Sequence, residues 1–521
     1  MARTKPSTFS VEKPQTRVRE LRAETNPGHL EEYEVKIWKT AAMPRKVVAA
    51  VAVAVSVTLV VGGAPVAHAD PNPAPTTQVA PKPSKKTPEK KTPEKKTPDN
   101  KNDRSKKRAD NAPAPKPTVP ATVTKVNWYS AHRVALWVHS PSMNTDIQVQ
   151  LLLARDWFAK PTAKFPQLTM LDGLRAQDDQ SGWIINTNVE QFYADKNVNV
   201  VLPVGGESSF YTDWKDPDRG KNYKWETFLT KELPPILEND WRSTDVRGVE
   251  GLSMGGSAAM MLAARNPGFY KFAGSFSGIL QLTSYGMPQA IQFAVRDGGG
   301  YDSAKMFGPP SDPAWKEHDP YLLADKLKGT SLYISSGNGV VGPHDKPSDI
   351  PLLATNYSGV GLEVLSRVTS QQFASKLSRL GIHGQAVYRP SGTHTWPYWQ
   401  FEMVQAWPQV AGALGLSGDK VACTVGDAFK KAPQIRGLGG CLTPEYAVPG
   451  GRAQDFRNGR IFTGPKGPKV VGGAIGGVYV PTMERLGLPT SDEKTGRDGA
   501  KYNTFERGKI VWTPQTGARV E

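Results

Sequence analysis

A serine hydroxyl becomes a nucleophile only where the chain exposes it and sets a base beside it, and Ser253 carries the first condition in its neighbours. Gly251-Leu-Ser-Met-Gly255 fits G-x-S-x-G. In this pattern a turn too tight for a Cβ at either flank holds the serine in strained dihedrals with its hydroxyl outward. An apolar run, Val246 to Leu252, precedes the turn and an Ala/Met-rich helical pattern follows it. That placement separates a nucleophile elbow from a chance match. It also aims a helix N-terminus and the Met254 amide at a developing oxyanion.

The partner base is a histidine, and in the hydrolase chain order of serine, acid, histidine it lies after Ser253. His318, His344, His383 and His394 qualify. His394 sits in Pro390-Ser-Gly-Thr-His-Thr-Trp396, a loop following the strand Gln385 to Tyr388, and the carboxyl ends of such strands are where reactive groups of an α/β sheet collect. His344 and His383 lie in polar, turn-like stretches and read as surface residues; His318, in KEHDPYLL, reads as a cap at a helix start. The acid stays open among Asp345, Asp349 and Glu363, although the apolar neighbours in Gly361-Leu-Glu-Val would bury Glu363 against an imidazole and fix its tautomer. A second oxyanion donor comes from an earlier loop. Leu171-Asp-Gly-Leu-Arg-Ala-Gln-Asp-Asp179 follows the strand Leu168 to Leu171, which makes the Leu174 amide the candidate. By residue type alone, Asp172 and Arg175 read as an ion pair.

The elements that must position these groups alternate. Strands are predicted at Val134–Val138, Ile147–Leu151, Leu168–Leu171, Val198–Leu202, Val246–Leu252, Phe272–Phe276, Leu332–Ile334 and Gln385–Tyr388. Helical periodicity marks Trp225–Glu238, Ser257–Ala264, Ser370–Leu380 and Phe401–Leu414. Strands alternating with helices imply an α/β fold with a mostly parallel sheet covered on both faces.

The first quarter of the 521 residues reads differently. Met43-Pro-Arg-Lys, a long apolar run and Ala67-His68-Ala69 form a secretory signal, with cleavage predicted before Asp70. Residues 70–121 are a Pro/Lys-rich linker repeating KKTPE; within 71–120, 13 Lys/Arg stand against 5 Asp/Glu, half of the chain's net +16. Such a segment stays extended and solvated. After a signal peptide its counter-ions are anionic envelope polymers or lipids rather than nucleic acid. The only cysteines, Cys423 and Cys441, are expected to pair in an exported chain. The predicted organisation is an extension and signal peptide (1–69), the linker (70–121), an α/β domain (122–416) and a Gly-rich C-terminal region (417–521).

MLDGLRAQDDQSGWIIN, LPVGGESSFYTDW, YKWETFLTKELP, GLSMGG, FGPPSDPAW and GTHTWPYW occur in this order over about residues 125–412. Together they resemble the mycolyltransferases of the antigen 85 group. The resemblance implies an α/β-hydrolase fold and a secreted, envelope-located acyltransferase without metal or cofactor. Such an enzyme moves a mycolyl chain from trehalose monomycolate to a second trehalose monomycolate or to cell-wall arabinogalactan, at the lipid surface of the outer mycomembrane. Carried over by motif, Ser253 is the nucleophile, Glu363 the acid and His394 the base. Leu174 and Met254 supply the oxyanion amides, and Asp172, Arg175, Asn186 and Trp396 hold the sugar headgroup. The chain departs from the pattern at Asp216-Pro-Asp-Arg219, where some members carry a cysteine pair, and at Gln281, where relatives tend to be acidic. Tyr285–Met287 and Ile291–Phe293 are candidates for a lipid groove, with core packing the alternative.

In the last hundred residues Asp455-Phe-Arg-Asn-Gly-Arg-Ile461 recurs as Thr504-Phe-Glu-Arg-Gly-Lys-Ile510, 49 positions on. Repeats of that period imply stacked units rather than extensions of the sheet. Gly473-Ala-Ile-Gly476, Leu486-Gly-Leu-Pro489 and Ile510 to Gly517 resemble the LGFP repeat, implying one good and one degenerate copy that hold the enzyme on envelope polymer. Two other functions keep the same features: a secreted carboxylesterase, and a wall-binding protein without activity.

Overall fold

A computed structural model describes residues 119–346, 357–421, 423–430 and 437–521. The signal sequence, nearly all of the linker and Asp349 lie outside them. Among the described residues no helix is long and apolar enough to cross a membrane.

Nine strands form one sheet: β1 (Thr122–Trp128), β2 (Arg133–Ser140), β3 (Thr145–Leu152), β4 (Phe165–Leu171), β5 (Asn199–Pro203), β6 (Ser243–Leu252), β7 (Phe272–Phe276), β8 (Ser331–Ser336) and β9 (Gly384–Tyr388). Their order across the sheet is β1-β2-β3-β5-β4-β6-β7-β8-β9. The first four in that order pair antiparallel, and from β5 through β4 to β9 every pairing is parallel. β5 and β7 are buried at every position, as central parallel strands covered on both faces must be. One core packs on each face, the first including Met260, Leu262 and Phe373, the second Trp183, Phe276 and Met403.

The helices that matter for the site are α1 (Gly182–Asn186), α2 (Met254–Arg265), α3 (Met287–Gly299), α4 (Tyr357–Arg379) and α5 (Trp396–Ala413). All eight predicted strands are present. α4 starts 13 residues before the helix read from periodicity and so carries Glu363. Two separate four-stranded antiparallel sheets follow: β10–β13 (Tyr446–Val448, Gly451–Phe456, Gly459–Gly464, Gly467–Val471), and β14–β17 (Lys494–Thr495, Lys501–Phe505, Gly508–Thr513, Gly517–Val520). The 49-residue repeat maps onto equivalent hairpins. Phe456 faces Gly459 in one and Phe505 faces Gly508 in the other, and Ile461 and Ile510 are fully buried in both. Between the sheets lies α6 (Gly473–Tyr479). Cys423 and Cys441 form a disulfide with Cα atoms 6.3 Å apart.

Candidate active site

β6 ends at Leu252 and α2 begins at Met254, so the whole reversal falls on Ser253, at φ 53° and ψ −120°. Both flanking glycines are sterically required. A Cβ on Gly251 would lie 2.4 Å from the Gly255 carbonyl, and one on Gly255 would lie 2.5 Å from the Asp172 carbonyl oxygen. The strained turn is held by the Ser253 amide, which donates to the Phe276 carbonyl at 2.8 Å.

The loop between β9 and α5 brings His394 to this turn, with Nε2 2.8 Å from Ser253 Oγ. His394 Nδ1 lies 2.7 Å from Glu363 Oε2. With the Nδ1 proton directed at Glu363, Nε2 is free to accept from the serine hydroxyl. The other oxygen of Glu363 accepts from Ser277 Oγ at 2.9 Å and from the Gly337 amide at 2.5 Å. Ser277 itself, at φ 55°, is braced by the Trp399 indole, whose Nε1 donates to its Oγ at 3.2 Å. Neither Ser277 nor Gly337 stood out in the sequence; each lies just past the end of a neighbouring parallel strand.

Of the two candidate acids among the described residues, the geometry brings Glu363 and not Asp345 to His394. Asp345 accepts from Thr393 Oγ1 at 2.7 Å, from Tyr398 OH at 2.6 Å and from the Gly342 amide at 2.8 Å, so it ties down the loop carrying His394 rather than the imidazole. The three other histidines stand apart from the site. His383 is exposed as expected. His344 corrects the surface reading: it is half-buried, its ring against Tyr398 and Phe401. His318 lies past the end of the short helix Ala314–Glu317 rather than at a start, its Nδ1 2.7 Å from the Ala314 carbonyl and its pKa lowered to about 4 by burial.

Both candidate oxyanion donors border the serine. Met254 opens α2, so its amide has no intrahelical acceptor. Gly173 packs close, since a Cβ on it would lie 2.9 Å from Leu252 Cδ1 and 3.7 Å from Ser253 Cβ. A buried loop braces both donors. The Ser208 amide donates to the Leu174 carbonyl at 2.9 Å, and the Phe210 amide to Met254 Sδ at 3.2 Å. Ser208, Phe210 and Tyr211 all have positive φ, strain of the kind stored around reactive groups. Only the preceding Gly205-Gly206 hints at it in the sequence.

Beside the triad, Asp172, Asn186 and Trp396 converge on α1. The Gly182 amide donates to Asp172 Oδ2 at 2.9 Å, and Asn186 Nδ2 donates to the Gly182 carbonyl at 3.0 Å. A Cβ on Gly182 would strike the Trp396 ring at 2.6 Å and Asp172 Oδ1 at 2.7 Å, so only glycine lets α1 pack this closely against both. Asp172 is almost fully buried, its Oδ1 has no hydrogen-bond partner, and burial pushes its pKa up to about 7 against the pull of the Gly182 and Trp183 amides. The expected Asp172–Arg175 ion pair is not formed. Arg175 is exposed and reaches Asp297 on α3 at 2.8 Å, a partner 122 residues away that spacing could not reveal. The groove candidates divide: Met287 and Ile291 are core residues of α3, while Tyr285 and Phe293 are exposed. Gln281 Oε1 is buried without a partner. Asp216-Pro-Asp-Arg219 forms a tight loop in which Asp218 accepts from the Asp302 amide at 2.7 Å.

A parallel sheet with a strained serine at a strand-to-helix turn, a histidine from a later loop and a buried carboxylate define a serine hydrolase of the α/β-hydrolase class. The comparisons with known proteins agree. Residues 140–410 match the "Putative esterase" family, and residues 438–480 and 486–520 each match the LGFP repeat. The diacylglycerol acyltransferase/mycolyltransferase Ag85A of Mycobacterium tuberculosis is 41% identical over 288 residues, covering 54% of this chain and 81% of that protein. The Ag85B protein of Mycobacterium leprae is 40% identical over 289 residues, covering 54% and 83%. The crystal structure of Mycobacterium tuberculosis MPT51 (FbpC1) is similar at 29% identity and a TM-score of 0.46, covering 54% of this chain and 97% of that one. The chain belongs to this esterase family, among the Ag85-type mycolyltransferases.

Proposed function

We propose that the chain is an envelope acyltransferase that moves a mycolyl group from trehalose monomycolate to a second trehalose monomycolate or to arabinogalactan, through an acyl-enzyme on Ser253. The observation carrying this reading is the unbroken line from Ser253 Oγ through His394 to Glu363, 2.8 Å and 2.7 Å per step. His394 takes the serine proton as Oγ attacks the ester carbonyl, and the Leu174 and Met254 amides receive the oxyanion. Trehalose leaves with the proton from His394. A hydroxyl of the acceptor sugar, deprotonated by the same imidazole, then takes the acyl group from the serine.

Transfer must outpace hydrolysis in a site open to water, so the acceptor must be held at high effective concentration. Asp172, Asn186 and Trp396 are the groups assigned to the headgroup, with Arg175 at the rim. Asp172 Oδ1 is buried without a partner, and a ligand hydroxyl satisfies it once the Gly182 or Trp396 side of the corner gives way. The catalytic domain spans 122–416. Residues 417–521 hold it on envelope polymer through the LGFP repeats, after export by the signal peptide ending at Ala69.

The test is incubation of the full exported chain and its Ser253→Ala variant with trehalose monomycolate. Trehalose dimycolate from the first and none from the second is the expected outcome. Free mycolic acid without dimycolate would replace the transferase with a carboxylesterase, and a Ser253 unreactive toward a lipophilic fluorophosphonate would leave only a wall-binding protein.

A further inference from the structure

We propose that the first LGFP copy is a docking module committed to the catalytic domain, so that attachment to envelope polymer falls to the second copy. The second clause rests on the wall-attachment reading above; the docking does not.

The two copies keep the same hairpin core and differ at the polar positions between. Phe456, Gly459 and Ile461 repeat as Phe505, Gly508 and Ile510, while Asp455, Arg457, Asn458 and Arg460 become Thr504, Glu506, Arg507 and Lys509. In the first copy three of the four differing residues reach the catalytic domain, while Asn458 donates to the Gly437 carbonyl instead. Asp455 Oδ2 lies 3.3 Å from His132 Nε2, Arg457 reaches Asp195 and the Gln191 carbonyl, and the Arg460 guanidinium lies 3.8 Å over the Phe158 ring while pairing with Asp455. In the second copy their counterparts turn inward or to solvent: Thr504 Oγ1 pairs with Thr490 Oγ1 at 2.8 Å, Glu506 approaches Arg507 at 3.8 Å, and Lys509 pairs with Glu521 at 3.0 Å, each of these charges well exposed.

Burial of Asp455 and Arg460 is the telling part. Their side chains are only 2% and 4% exposed, and taking two charges out of water is costly unless further partners complete them. Those partners, His132 and the Phe158 face, belong to the catalytic domain. Within the copy Tyr446 OH also donates to Asp455 Oδ1 at 2.8 Å, and docking adds the contacts to His132 and Phe158.

Backbone packing at a second point agrees. α6, within the first copy, presents Gly477 to the end of β1, where a Cβ would lie 2.8 Å from the Trp128 carbonyl oxygen and 2.9 Å from the Tyr129 carbonyl carbon. No other residue type fits that approach. β1 is one edge of the nine-stranded sheet, and an edge covered by a neighbouring element is protected from pairing with other chains.

The experiment is hydrogen exchange at the Tyr129 and Ser130 amides, both bonded to the Arg133 carbonyl beside the dock, in the full chain. Alanine is the better helix former, so Gly477→Ala slows exchange or leaves it unchanged if α6 is merely a helix. If α6 is docked, exchange at these amides rises about tenfold as local opening becomes easier. Asp195→Arg and Arg457→Asp are each expected to raise it about fivefold and the double variant to restore it, the mark of a direct pair. Unchanged exchange in Gly477→Ala, or a double variant that does not recover, would overturn the docking. Pelleting with purified arabinogalactan–peptidoglycan separates the second clause. Arg457→Asp is expected to pellet like the parent; loss of pelleting with exchange unchanged would give this face to the polymer instead. A parent chain that does not pellet refutes wall attachment, while the exchange data still decide the docking.

Discussion

The corner holding Ser253, His394 and Glu363 and the corner of Asp172 and Trp396 proposed for the headgroup sit side by side, yet they are finished to different degrees. Glu363 is complete before any substrate arrives: one oxygen accepts from Ser277 and the Gly337 amide, the other holds His394. Asp172, as deeply buried, has one oxygen on the Gly182 amide and the other on nothing. The difference teaches where each corner needs rigidity. Groups that meet developing charge work best when fixed in advance. A group that recognises a hydroxyl gains most when the ligand supplies the missing bond.

Breaking the finished corner has the largest expected effect. Ser253→Ala should lower kcat on a soluble acyl ester by about 10⁴-fold or more and abolish fluorophosphonate labelling, read by mass spectrometry of the intact chain. Glu363→Gln keeps the shape and should cost about 10³–10⁴-fold, because the amide no longer fixes the tautomer that leaves Nε2 free to accept from Ser253. A loss below tenfold would mean that the 2.7 Å contact with His394 is structural only.

The unfinished corner is tested by crowding it. Gly182→Ala places a methyl against the Trp396 ring and Asp172 Oδ1. The expected outcome is a KM for the sugar acceptor raised about tenfold while hydrolysis of a small ester is unaffected. Equal losses in both reactions would show that α1 supports the triad rather than the headgroup.

How much of this was legible in the sequence follows the same divide. The elbow was readable because its requirements are local: Gly251, Gly255 and Ser253 lie within five residues, and the collisions that forbid a Cβ are among themselves and with Asp172. His394 was readable because a loop after a strand must open at the carboxyl edge. Glu363 needed the family resemblance, since Gly359 and Gly361 obscured the helical periodicity of α4's first turns. The braces were not readable. Ser277, Gly337 and the Arg175–Asp297 pair are meetings of distant segments, and the positive φ of Ser208, Phe210 and Tyr211 falls on residues with no intrinsic preference for it. In the repeats the shared Phe, Gly and Ile marked the hairpins, but the purpose of Asp455 and Arg460 appeared only with His132 and Phe158 beside them.

The smallest expected effect concerns two buried acids, and it asks whether Asp172's state belongs to the binding corner or to burial in general. Glu250, on β6 three residues before Ser253, is fully buried with only Tyr193 OH nearby at 3.4 Å, and burial pushes its pKa up to about 8. Asp172 is pushed up to about 7 by the same cause. In both, the folded chain keeps a proton that the unfolded chain has already released, so stability is greatest below the unfolded pKa values and declines as pH rises toward 7 and 8. Each proton contributes a slope of at most about 1.4 kcal/mol per pH unit, seen as a Tm falling by a few degrees between about pH 5 and 8. Glu250→Gln should remove its share of that slope and leave acceptor KM alone. Asp172→Asn should flatten the slope and also raise acceptor KM, because the vacant oxygen it alters faces the headgroup corner beside Gly182 and Trp396. If both variants change only the slope, the two acids are equivalent core residues and the contrast between the corners reduces to the triad alone.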